Sequence, residues 1–435
     1  MFTALLFLVL LIVTTPIFLI FDGPIVHGLV IEVAAVSVAI VGIRIRPGEA
    51  GHLSSVIRPM AIVAALPALW MLVQLLPLKA TIGLRNPIWD SASAALGRPL
   101  SGGISIDPGA TLIALAQYLS TLAIVFVAAA LAIDRHRAEW ILFALMAATT
   151  LIAAMVLAGD LGGYTFLSTY DGGPVADAAT DSASLGAIIA AAAAFHTFKR
   201  ADATSPGHGG ATLRFPVAFA TCLIAVAICS LAVFVNATSP TYFAVICGAA
   251  TLAVVIAIRR FRVGPWGYSA IASVAVVVVI AVVALQPVGR TVDLTLAFAG
   301  QAPGSLIALT QRILAETNWA GTGAGSFSAI LPIYQDIDEL ATGSVAPTAA
   351  AGIAVEMGRP FLWALVIAAI ALVLTLIRGA VRRGRDSIYS MAGASCAVAT
   401  TLLAFGNIGI FSTPVMVIAA TAVGIAIAQR KSRSI

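Results

Sequence analysis

The residues with the clearest chemical potential lie at positions 311–327, which read Gln-Arg-Ile-Leu-Ala-Glu-Thr-Asn-Trp-Ala-Gly-Thr-Gly-Ala-Gly-Ser-Phe. Gly321, Gly323 and Gly325 alternate there, and because glycine has no Cβ, their backbone N–H groups can come close to an anion. Arg312 precedes them, and its planar guanidinium can hold a phosphate through two parallel hydrogen bonds. The pattern therefore predicts an anion-binding turn.

A plainer interpretation of the same stretch stays open, because short glycine patterns often arise by chance. In it, the glycines only make a tight turn, and Arg312 pairs with Glu316, four residues further along a helix. Trp319 also has two interpretations, since it either lies at the membrane interface or stacks on a sugar ring. Spacing alone does not choose between an anion site and a structural turn.

The elements that position these residues are predicted to be membrane-spanning helices. The chain has 435 residues, of which 60% are hydrophobic and only 10% are charged, and its mean hydropathy is +1.05. An average soluble protein is about 25% charged, so this composition excludes a soluble globular enzyme, a disordered chain and a disulfide scaffold. A spanning helix needs about 20 mostly apolar residues. The apolar segments are 1–21, 25–43, 59–77, 109–133, 139–158, 183–198, 215–235, 241–258, 269–286, 360–377, 388–405 and 413–429.

These segments predict an all-α fold, a polytopic membrane helix bundle of about 12 transmembrane helices with a large, partly helical outer loop. Residues 1–435 are predicted to form a single transmembrane domain. No basic residue precedes the run 1–21, which predicts a retained first span and no cleaved signal peptide. The longest loop is 287–359, in which we expect short surface helices separated by a Gly-rich turn.

The basic residues are distributed unequally between alternate loops. With the N-terminus inside, the inner loops hold 18 of the 24 Lys and Arg residues. The basic residues left outside are Lys79, Arg85, Arg98, Arg290, Arg312 and Arg359. This bias predicts that both termini are cytoplasmic and that loops 78–108, 159–182 and 287–359 lie outside. The pI of 9.2 is then an effect of topology that indicates anionic membrane lipids, and no nucleic acid, as partners.

Glu32 and the four cysteines complete the residues of possible chemical interest. Glu32 lies well inside the second apolar segment, where an unpaired acid costs about 2.5–3.5 kcal/mol. It is therefore either a functional residue or a hydrogen-bonding group within the bundle. The cysteines lie in apolar runs without a CxxC spacing, which predicts buried thiols and neither a disulfide nor a metal site. They are Cys222, Cys229, Cys247 and Cys396.

The loop at 287–359 resembles that of the bacterial O-antigen ligase and O-antigen polymerase superfamily. There, a large periplasmic loop carries an Arg, then a Trp, then a Gly-x-Gly-x-Gly-x-Phe run and a further aromatic residue. The matching residues here are Arg312, Trp319, Gly321, Gly323, Gly325, Phe327 and Tyr334. The resemblance extends to Ser105-Ile106-Asp107-Pro108 and Asp134-Arg135-His136-Arg137, which are typical of members from exopolysaccharide loci.

The resemblance implies a membrane-embedded glycosyltransferase of the bacterial inner membrane. Such proteins transfer or polymerise a glycan carried on undecaprenyl diphosphate, on the periplasmic side, in exopolysaccharide or lipopolysaccharide assembly. The implied partners are this lipid-linked glycan, an acceptor glycan or lipid, and membrane lipids, without a metal or other cofactor. Arginines would hold the diphosphate, here Arg312 assisted by Arg290, and a loop histidine would act on the acceptor hydroxyl.

Two polar groups of the family pattern are not matched. Pro347 holds the place of the loop histidine, and proline cannot act as a base. The stretch Ser239-Pro240-Thr241 lacks a second arginine, a role that Arg290 can take. An outer acid then becomes the expected catalytic base, with Glu356 and Asp336 as the candidates.

Three functions follow from these observations. Transfer or polymerisation of a lipid-linked glycan leads, with Arg312 on the diphosphate and the turn at 321–325 shaping the site. The alternatives are a non-catalytic relative that serves polysaccharide assembly, and a membrane transporter, which would show internal symmetry and a site at the membrane midplane. His27 is the one histidine predicted near the outer face, and we expect it to be an interfacial residue.

Overall fold

A computed structural model describes residues 1–78, 84–162, 173–202, 214–261, 293–299, 302–335, 345–382 and 387–431. Within these ranges the chain is helical, without a β-strand, and one isolated bridge joins Leu78 to Gly102. The helices in chain order are α1 (Phe2–Val13), α2 (Thr15–Ile20), α3 (Pro24–Arg44), α4 (Pro47–Leu75), α5 (Ile88–Leu96), α6 (Pro108–Leu131), α7 (Arg135–Gly162), α8 (Pro174–Asp202), α9 (Arg214–Asn236), α10 (Ser239–Phe261), α11 (Gly304–Glu316), α12 (Phe327–Tyr334), α13 (Ala349–Glu356), α14 (Arg359–Arg382), α15 (Ser387–Gly406) and α16 (Thr413–Gln429). The all-α prediction is confirmed.

Nine helices in the described part of the chain are long and apolar enough to cross a membrane, namely α3, α4, α6 to α10, α14 and α15. Each coincides with a predicted segment. The first predicted segment is divided into α1 and α2, because Pro16 lacks the N–H that would continue the helix. The last is the shorter α16, and the ninth, 269–286, lies outside the described residues. The prediction of a polytopic membrane bundle is confirmed.

The bundle packs through small residues around α8, the most deeply buried of the long helices. α8 contacts α7, α9, α10 and α15. A Cβ added to Gly186 of α8 would lie 2.7 Å from the Cβ of Thr149 on α7. Likewise, a Cβ on Gly393 of α15 would lie 2.2 Å from the Cβ of Ala426 on α16. Small residues allow this close approach, which dispersion forces stabilise in a lipid environment.

The two ends of the bundle differ in chemistry. We call "loop end" the end where α4 and α15 stop and α6 and α16 start, together with the described residues between 293 and 358. At the opposite "basic end", Arg200 pairs with Glu139, and Arg430 donates to the Val56 carbonyl at 2.9 Å. Arg200 and Arg430 thus lie at the same end of the bundle, while the side of the membrane on which each end lies stays a prediction.

Candidate functional site

The glycine run forms a turn that glycine alone adopts without strain. Gly321, Gly323 and Gly325 have φ of +80°, +108° and +75°, in the left-handed region that L-residues rarely enter. Gly358, which precedes α14, has φ of +93°. The alternation of glycines therefore meets a backbone requirement, as in the plainer interpretation of the stretch.

One side of this turn packs against the junction of α13 and α14. A Cβ on Gly358 would lie 1.9 Å from the Trp319 carbonyl oxygen, and one on Gly321 would lie 2.3 Å from the Glu356 carbonyl oxygen. Both distances are far below a normal contact, so a side chain at either position would force the two segments apart. The glycines thus also permit a close approach of two backbones.

The Ser-Ile-Asp-Pro motif forms the other side of the turn. A Cβ on Gly323 would meet Ser105 Oγ at 2.3 Å, and the Ile106 N–H donates to the Thr322 carbonyl at 2.9 Å. Asp107 is the N-cap of α6, where its carboxylate accepts from the backbone at 3.0 Å. The motif therefore begins a spanning helix and anchors the turn to it.

The backbone N–H groups of the turn are occupied within the chain. Gly323 donates to the Glu356 carbonyl at 2.9 Å. Phe327 donates to Glu356 Oε1 at 3.2 Å, and the Gly325 N–H donates to the same carboxylate. The Glu356 side chain thus occupies the place beside the Gly325 and Phe327 N–H groups that an anion would take.

Gln74, in the last turn of α4, ties the glycine turn to the membrane helices. Its side chain is fully buried. Its Nε2 donates to the carbonyls of Glu356 and Ala320 at 2.9 and 3.3 Å, and its Oε1 accepts from the Ala324 N–H at 3.1 Å. One amide therefore satisfies three backbone groups from two segments of the loop.

Three aromatic rings lie beside the turn. Trp70 stacks on Phe361, with ring centroids 6.3 Å apart, and its centroid lies 6.4 Å from that of Trp319. The Trp70 indole N–H donates to the Met357 carbonyl at 3.1 Å. Trp319 itself is 58% exposed, so its ring remains available to a lipid headgroup or a sugar. Both interpretations of Trp319 stay open.

The environment of Glu356 favours its protonated form. Burial raises the pKa of Glu356 to about 7, although hydrogen bonds from the N–H groups of Gly325 and Phe327 act in the opposite direction. A carboxyl group with a pKa near neutrality suits proton transfer. The same residue is structural, because its carboxylate and its carbonyl both hold the turn.

Arg312 lies on an exposed face of α11 within a cluster of three side chains. Its Nε is 3.4 Å from Glu316 Oε1, and its Cζ is 5.8 Å from the centre of the Tyr334 ring. Burial and a hydrogen bond to the Glu316 carboxylate raise the pKa of Tyr334. The ion pair expected along a helix is present, and Tyr334 joins it from α12.

A pocket of about 610 Å³ opens between this cluster and the segment that precedes α5. Its polar wall consists of Arg85, Asn86, Glu316, Thr317, Asn318, Thr322 and Tyr334. The Arg85 side chain is only 10% exposed and donates to Asp90 Oδ1 at 2.7 Å and to the Leu100 carbonyl at 3.1 Å. Its Nε has no hydrogen-bond partner among the described residues. That Nε is itself inaccessible, but a largely buried guanidinium in a pocket wall is suited to an anion.

The structure brings some of the predicted site residues to this pocket. Gly321 and Tyr334 line it, and Arg312 contacts two of the side chains in its wall. Trp319 lies just before the adjoining turn, and Glu356 accepts hydrogen bonds from it. Neither is among the described residues that line the pocket. Gly321 and Thr322 are therefore the residues that the turn and the pocket share.

Other predicted residues lie elsewhere. Asp336 and Arg290 are outside the described residues, so their roles stay predictions. Pro347 comes directly before Thr348, the N-cap of α13, whose hydroxyl accepts from the backbone at 3.0 Å. The stretch Ser239-Pro240-Thr241 begins α10. Pro347 thus precedes a helix start, where it offers no proton-accepting group.

His27 is held at the start of α3 by two side chains. Its Nε2 lies 2.9 Å from Asp22 Oδ1, and its Nδ1 lies 2.9 Å from Gln117 Nε2 on α6. Thr413 also donates to Asp22, at 2.8 Å. Both ring nitrogens are therefore engaged, one with Asp22 and one with α6, and His27 does not line the described pocket.

Sequence reasoning missed Gln74, Trp70 and Arg85 as site residues. Gln74 is an amide in an otherwise apolar segment, and such polar residues in spans are functional or structural by default. Arg85 belongs to the small set of basic residues predicted outside, which singles it out by charge alone. Neither signal indicates the partner, because the contacting residues are distant in the sequence.

Comparison with known protein families finds no family that matches this chain, and a search of curated proteins finds no match either. The similarity to the O-antigen ligase superfamily therefore rests on the residues of the loop, and it stays a resemblance.

Proposed function

We propose that this chain binds an undecaprenyl-diphosphate-linked glycan at the loop end and transfers or polymerises the glycan there. The proposal rests on the pocket of about 610 Å³, whose wall includes the largely buried side chain of Arg85. Ligand pockets commonly measure about 300–1,000 Å³. The resemblance of the adjoining stretch 312–334 to the O-antigen ligase loop supports the same class of substrate.

The diphosphate would be held by two arginines from different segments. Arg85 lines the pocket, and Arg312 lies above Tyr334 in its wall. The present partner of Arg312 is Glu316, in an exposed pair of the kind that contributes about 0–1 kcal/mol. A diphosphate can therefore displace Glu316 from Arg312 at little cost.

Transfer requires a group that takes the proton of the acceptor hydroxyl. The hydroxyl oxygen attacks the anomeric carbon, the bond from that carbon to the diphosphate breaks, and the carrier leaves with the electron pair. Glu316 is the carboxylate in the described wall of the pocket, and displacement from Arg312 would free it to accept the proton. Glu356, with a pKa of about 7, and Asp336 are the other candidates for this role.

A carrier-binding protein without catalysis is the second candidate, and one observation favours it. Glu356 already accepts hydrogen bonds from the turn, and Pro347 stands where the resembling family has its histidine. Such a protein would use the same pocket and present the carrier to a polysaccharide assembly machine.

Purified protein with a lipid-linked oligosaccharide and an acceptor tests the proposal. Arg85→Ala and Arg312→Ala are expected to weaken carrier binding at least about tenfold each, because a charge-assisted bidentate contact is lost. Arg312→Lys should rescue poorly, since lysine lacks the planar fork. Arg98→Ala is the matched control, because Arg98 is exposed and does not line the described pocket.

The outcomes separate the two candidates. Transfer that falls with binding in both arginine variants supports the transferase, whereas binding without transfer by the wild type supports the carrier-binding protein. Binding that is unchanged in Arg85→Ala and Arg312→Ala contradicts both.

In cells, the same proposal requires the loop end to lie outside. Cysteine labelling is expected to place residues 300–345 in the periplasm and Arg382 and Lys431 in the cytoplasm. Deletion of the gene should accumulate lipid-linked intermediates and alter surface polysaccharide. Labelling of residues 300–345 from the cytoplasm would contradict the proposal, because the carrier glycan is presented outside.

A further inference from the structure

Asp181 is a carboxyl group that the bundle encloses completely. It lies on the spanning helix α8, seven residues after the helix begins at Pro174, and its side chain is buried, whereas Glu32 of α3 is exposed. Its Oδ1 accepts a hydrogen bond from Asn407 Nδ2 at 3.0 Å. Its Oδ2 is also buried but has no hydrogen-bond partner among the described residues. Buried polar atoms are normally paired, so this oxygen requires an explanation.

Asn407 determines which oxygen of Asp181 is free to take a proton. The Asn407 Oδ1 accepts from the Gly409 N–H at 2.9 Å, so its Nδ2 is the atom that faces Asp181 and donates. Asp181 Oδ1 is therefore an acceptor, and a proton on this carboxyl group belongs on Oδ2. The Asn407 carbonyl also accepts from the Ala349 N–H at 2.9 Å. Asn407 thus joins Asp181 on α8 to the start of α13.

The space beside Asp181 Oδ2 is too small for a metal ion. A Cβ on Gly409 would lie 2.7 Å from Oδ2 and 2.6 Å from the Asp177 carbonyl carbon, so the Gly409 backbone packs directly against α8. A metal ion needs several oxygen ligands at about 2.0–2.6 Å, which this close packing does not accommodate. A proton needs only the oxygen that carries it and an acceptor nearby.

The described groups that face Asp181 supply no positive charge to it. α8 packs against α2, α7, α9, α10, α15, α16 and the turn 409–411. Asp177 lies four residues before Asp181 on the same face of α8, and its negative charge acts on Asp181. The other titratable groups at this end of the packed helices, each bonded to another group, are Asp22 with its partner His27, Asp160, Cys229 and Tyr242. A carboxylate at Asp181 would therefore be an enclosed charge without a counter-charge in the described part of the chain.

Asp177 and Asp181 differ in how readily each can be charged. Asp177 is partly exposed, lies in the first turn of α8 and accepts from the Ile408 N–H. The positive end of the helix dipole stabilises a negative charge there. Asp181 lacks both advantages, and two carboxylates this close disfavour ionisation of both. The negative charge therefore belongs on Asp177 and the proton on Asp181.

We propose that Asp181 is a proton-binding site whose proton keeps α8 joined to α13 through Asn407. With the proton on Oδ2, the carboxyl group is neutral, and Oδ1 accepts from Asn407 without a buried charge. Without the proton, Asp181 becomes a second charge beside Asp177 in a site that excludes water, which favours separation of the segment 407–409 from α8 and entry of water. The proton is thus the ligand of a pH-sensitive link between the bundle and the helix that carries Glu356. This inference does not rest on the proposed function.

Infrared spectroscopy of the purified full chain detects the proton, because a protonated carboxyl group absorbs at a different frequency from a carboxylate. At neutral pH we expect less carboxyl absorption from Asp181→Asn than from the wild type, since this amide stays neutral and still accepts from Asn407. Asp160→Asn is the matched control and should equal the wild type, because Asp160 is an acid at the same end of α7 that accepts from Asn236. Asp177→Asn should lose the Asp181 proton at a lower pH than the wild type, because the neighbouring charge is gone. Equal carboxyl absorption by the wild type and Asp181→Asn would overturn the proposal.

Hydrogen exchange at the Ala349 and Gly409 N–H groups tests the link to α13, because Asn407 holds both groups. Once a higher pH has removed the proton from the wild type, both groups should exchange at least about tenfold faster than in Asp181→Asn at the same pH. The Ala138 N–H, which the Asp134 carbonyl holds at the basic end, should exchange equally in the two proteins. Equal exchange of Ala349 and Gly409 in both proteins, at every pH at which they stay folded, would show that the proton does not hold this link.

Discussion

The loop end and the basic end of the bundle are built in different ways. At the loop end, glycine dihedrals and buried hydrogen bonds between distant segments, such as that from Ala324 to Gln74, define one arrangement. At the basic end, the long side chains of Arg430 and Lys431 each donate to one carbonyl oxygen within α4. The loop end therefore depends on particular residues, whereas the basic end depends on the presence of positive charge.

Polar residues in a membrane protein can therefore have two different roles, one in orientation and one in tertiary packing. A basic residue near a helix end contributes to orientation, and its neighbours can replace it because the effect depends on their number. A buried amide or a left-handed glycine has no substitute, because its effect depends on geometry. We therefore expect the loss of unfolding free energy from a substitution to increase with the number of buried groups that it leaves unpaired or displaces.

Gly358→Ala is expected to have the largest effect. Its Cβ would lie 1.9 Å from the Trp319 carbonyl oxygen at a φ of +93°, so we expect a loss of about 3–5 kcal/mol of unfolding free energy. Gly97→Ala is the matched control, because Gly97 also has a positive φ but nothing lies within 4 Å of its Cβ. That change should cost about 1–2 kcal/mol. Equal losses in thermal denaturation of the purified proteins would contradict the packing argument.

Gln74→Leu should follow, with a loss of about 3 kcal/mol. The change keeps the shape but leaves the Ala320 carbonyl and the Ala324 N–H without their partner, whereas the Glu356 carbonyl keeps the Gly323 N–H; each unpaired group costs about 1–3 kcal/mol. Gln117→Leu is the control, since the Gln117 side chain has one hydrogen bond. If both variants melt at the same temperature, Gln74 is not the link described here.

Glu356 should make the stability of the loop end depend on pH. Its pKa rises from 4.5 to about 7 in the folded protein, so the folded state holds the proton more tightly. Stability is then highest below about pH 4.5, falls as the pH rises to about 7, and changes by about 3 kcal/mol in total. Glu356→Gln removes the titrating group but keeps an acceptor for the Phe327 N–H.

Thermal denaturation at pH 5 and pH 8 measures this effect. The wild type should melt at a lower temperature at the higher pH, and Glu356→Gln should change less between the two. Glu316→Gln serves as the control, because Glu316 is half-exposed and holds no part of the glycine turn. A Glu356→Gln variant with the full wild-type pH dependence would show that another group is responsible.

Arg430→Ala should have the smallest effect of the series. It removes one hydrogen bond, from Arg430 to the Val56 carbonyl, and we expect a loss of about 1 kcal/mol. Lys431→Ala, whose contact with the Ser55 carbonyl is exposed and 3.4 Å long, should change stability by less than about 0.5 kcal/mol. A loss from Arg430→Ala as large as that from Gln74→Leu would remove the contrast between the two ends.

Features that depend on residues near one another in the sequence were predictable. Length and hydropathy indicated the nine long spans, and the four-residue spacing of Arg312 and Glu316 indicated their ion pair. The break between α1 and α2 depends on Pro16, which the count of apolar residues ignores. Local chemistry and composition thus account for the fold class and most of the spans.

The candidate site was less predictable, because its contacts join distant segments. The glycine turn was predicted, but Glu356 as the group bound by its N–H donors was not, since 29 residues separate Glu356 from Phe327. Nothing near Arg85 in the sequence indicates that it shares a pocket with Glu316 and Tyr334. The path of the loop across the bundle brings these residues together. The spacing of residues in the sequence gives no information on that path.

The link through Gln74 also has a consequence for the order of synthesis. Gln74 is made 250 residues before Ala324, which at about 5–20 residues per second is a delay of roughly 10–50 s. During that interval α4 and α6 have emerged, but the amide of Gln74 and the N–H of Ile106 lack the partners they have in the finished protein. The pocket can therefore form only after the helices that support it have been made, and a nascent chain that stops before residue 320 would have membrane helices with an unsatisfied polar edge for quality-control proteases to recognise.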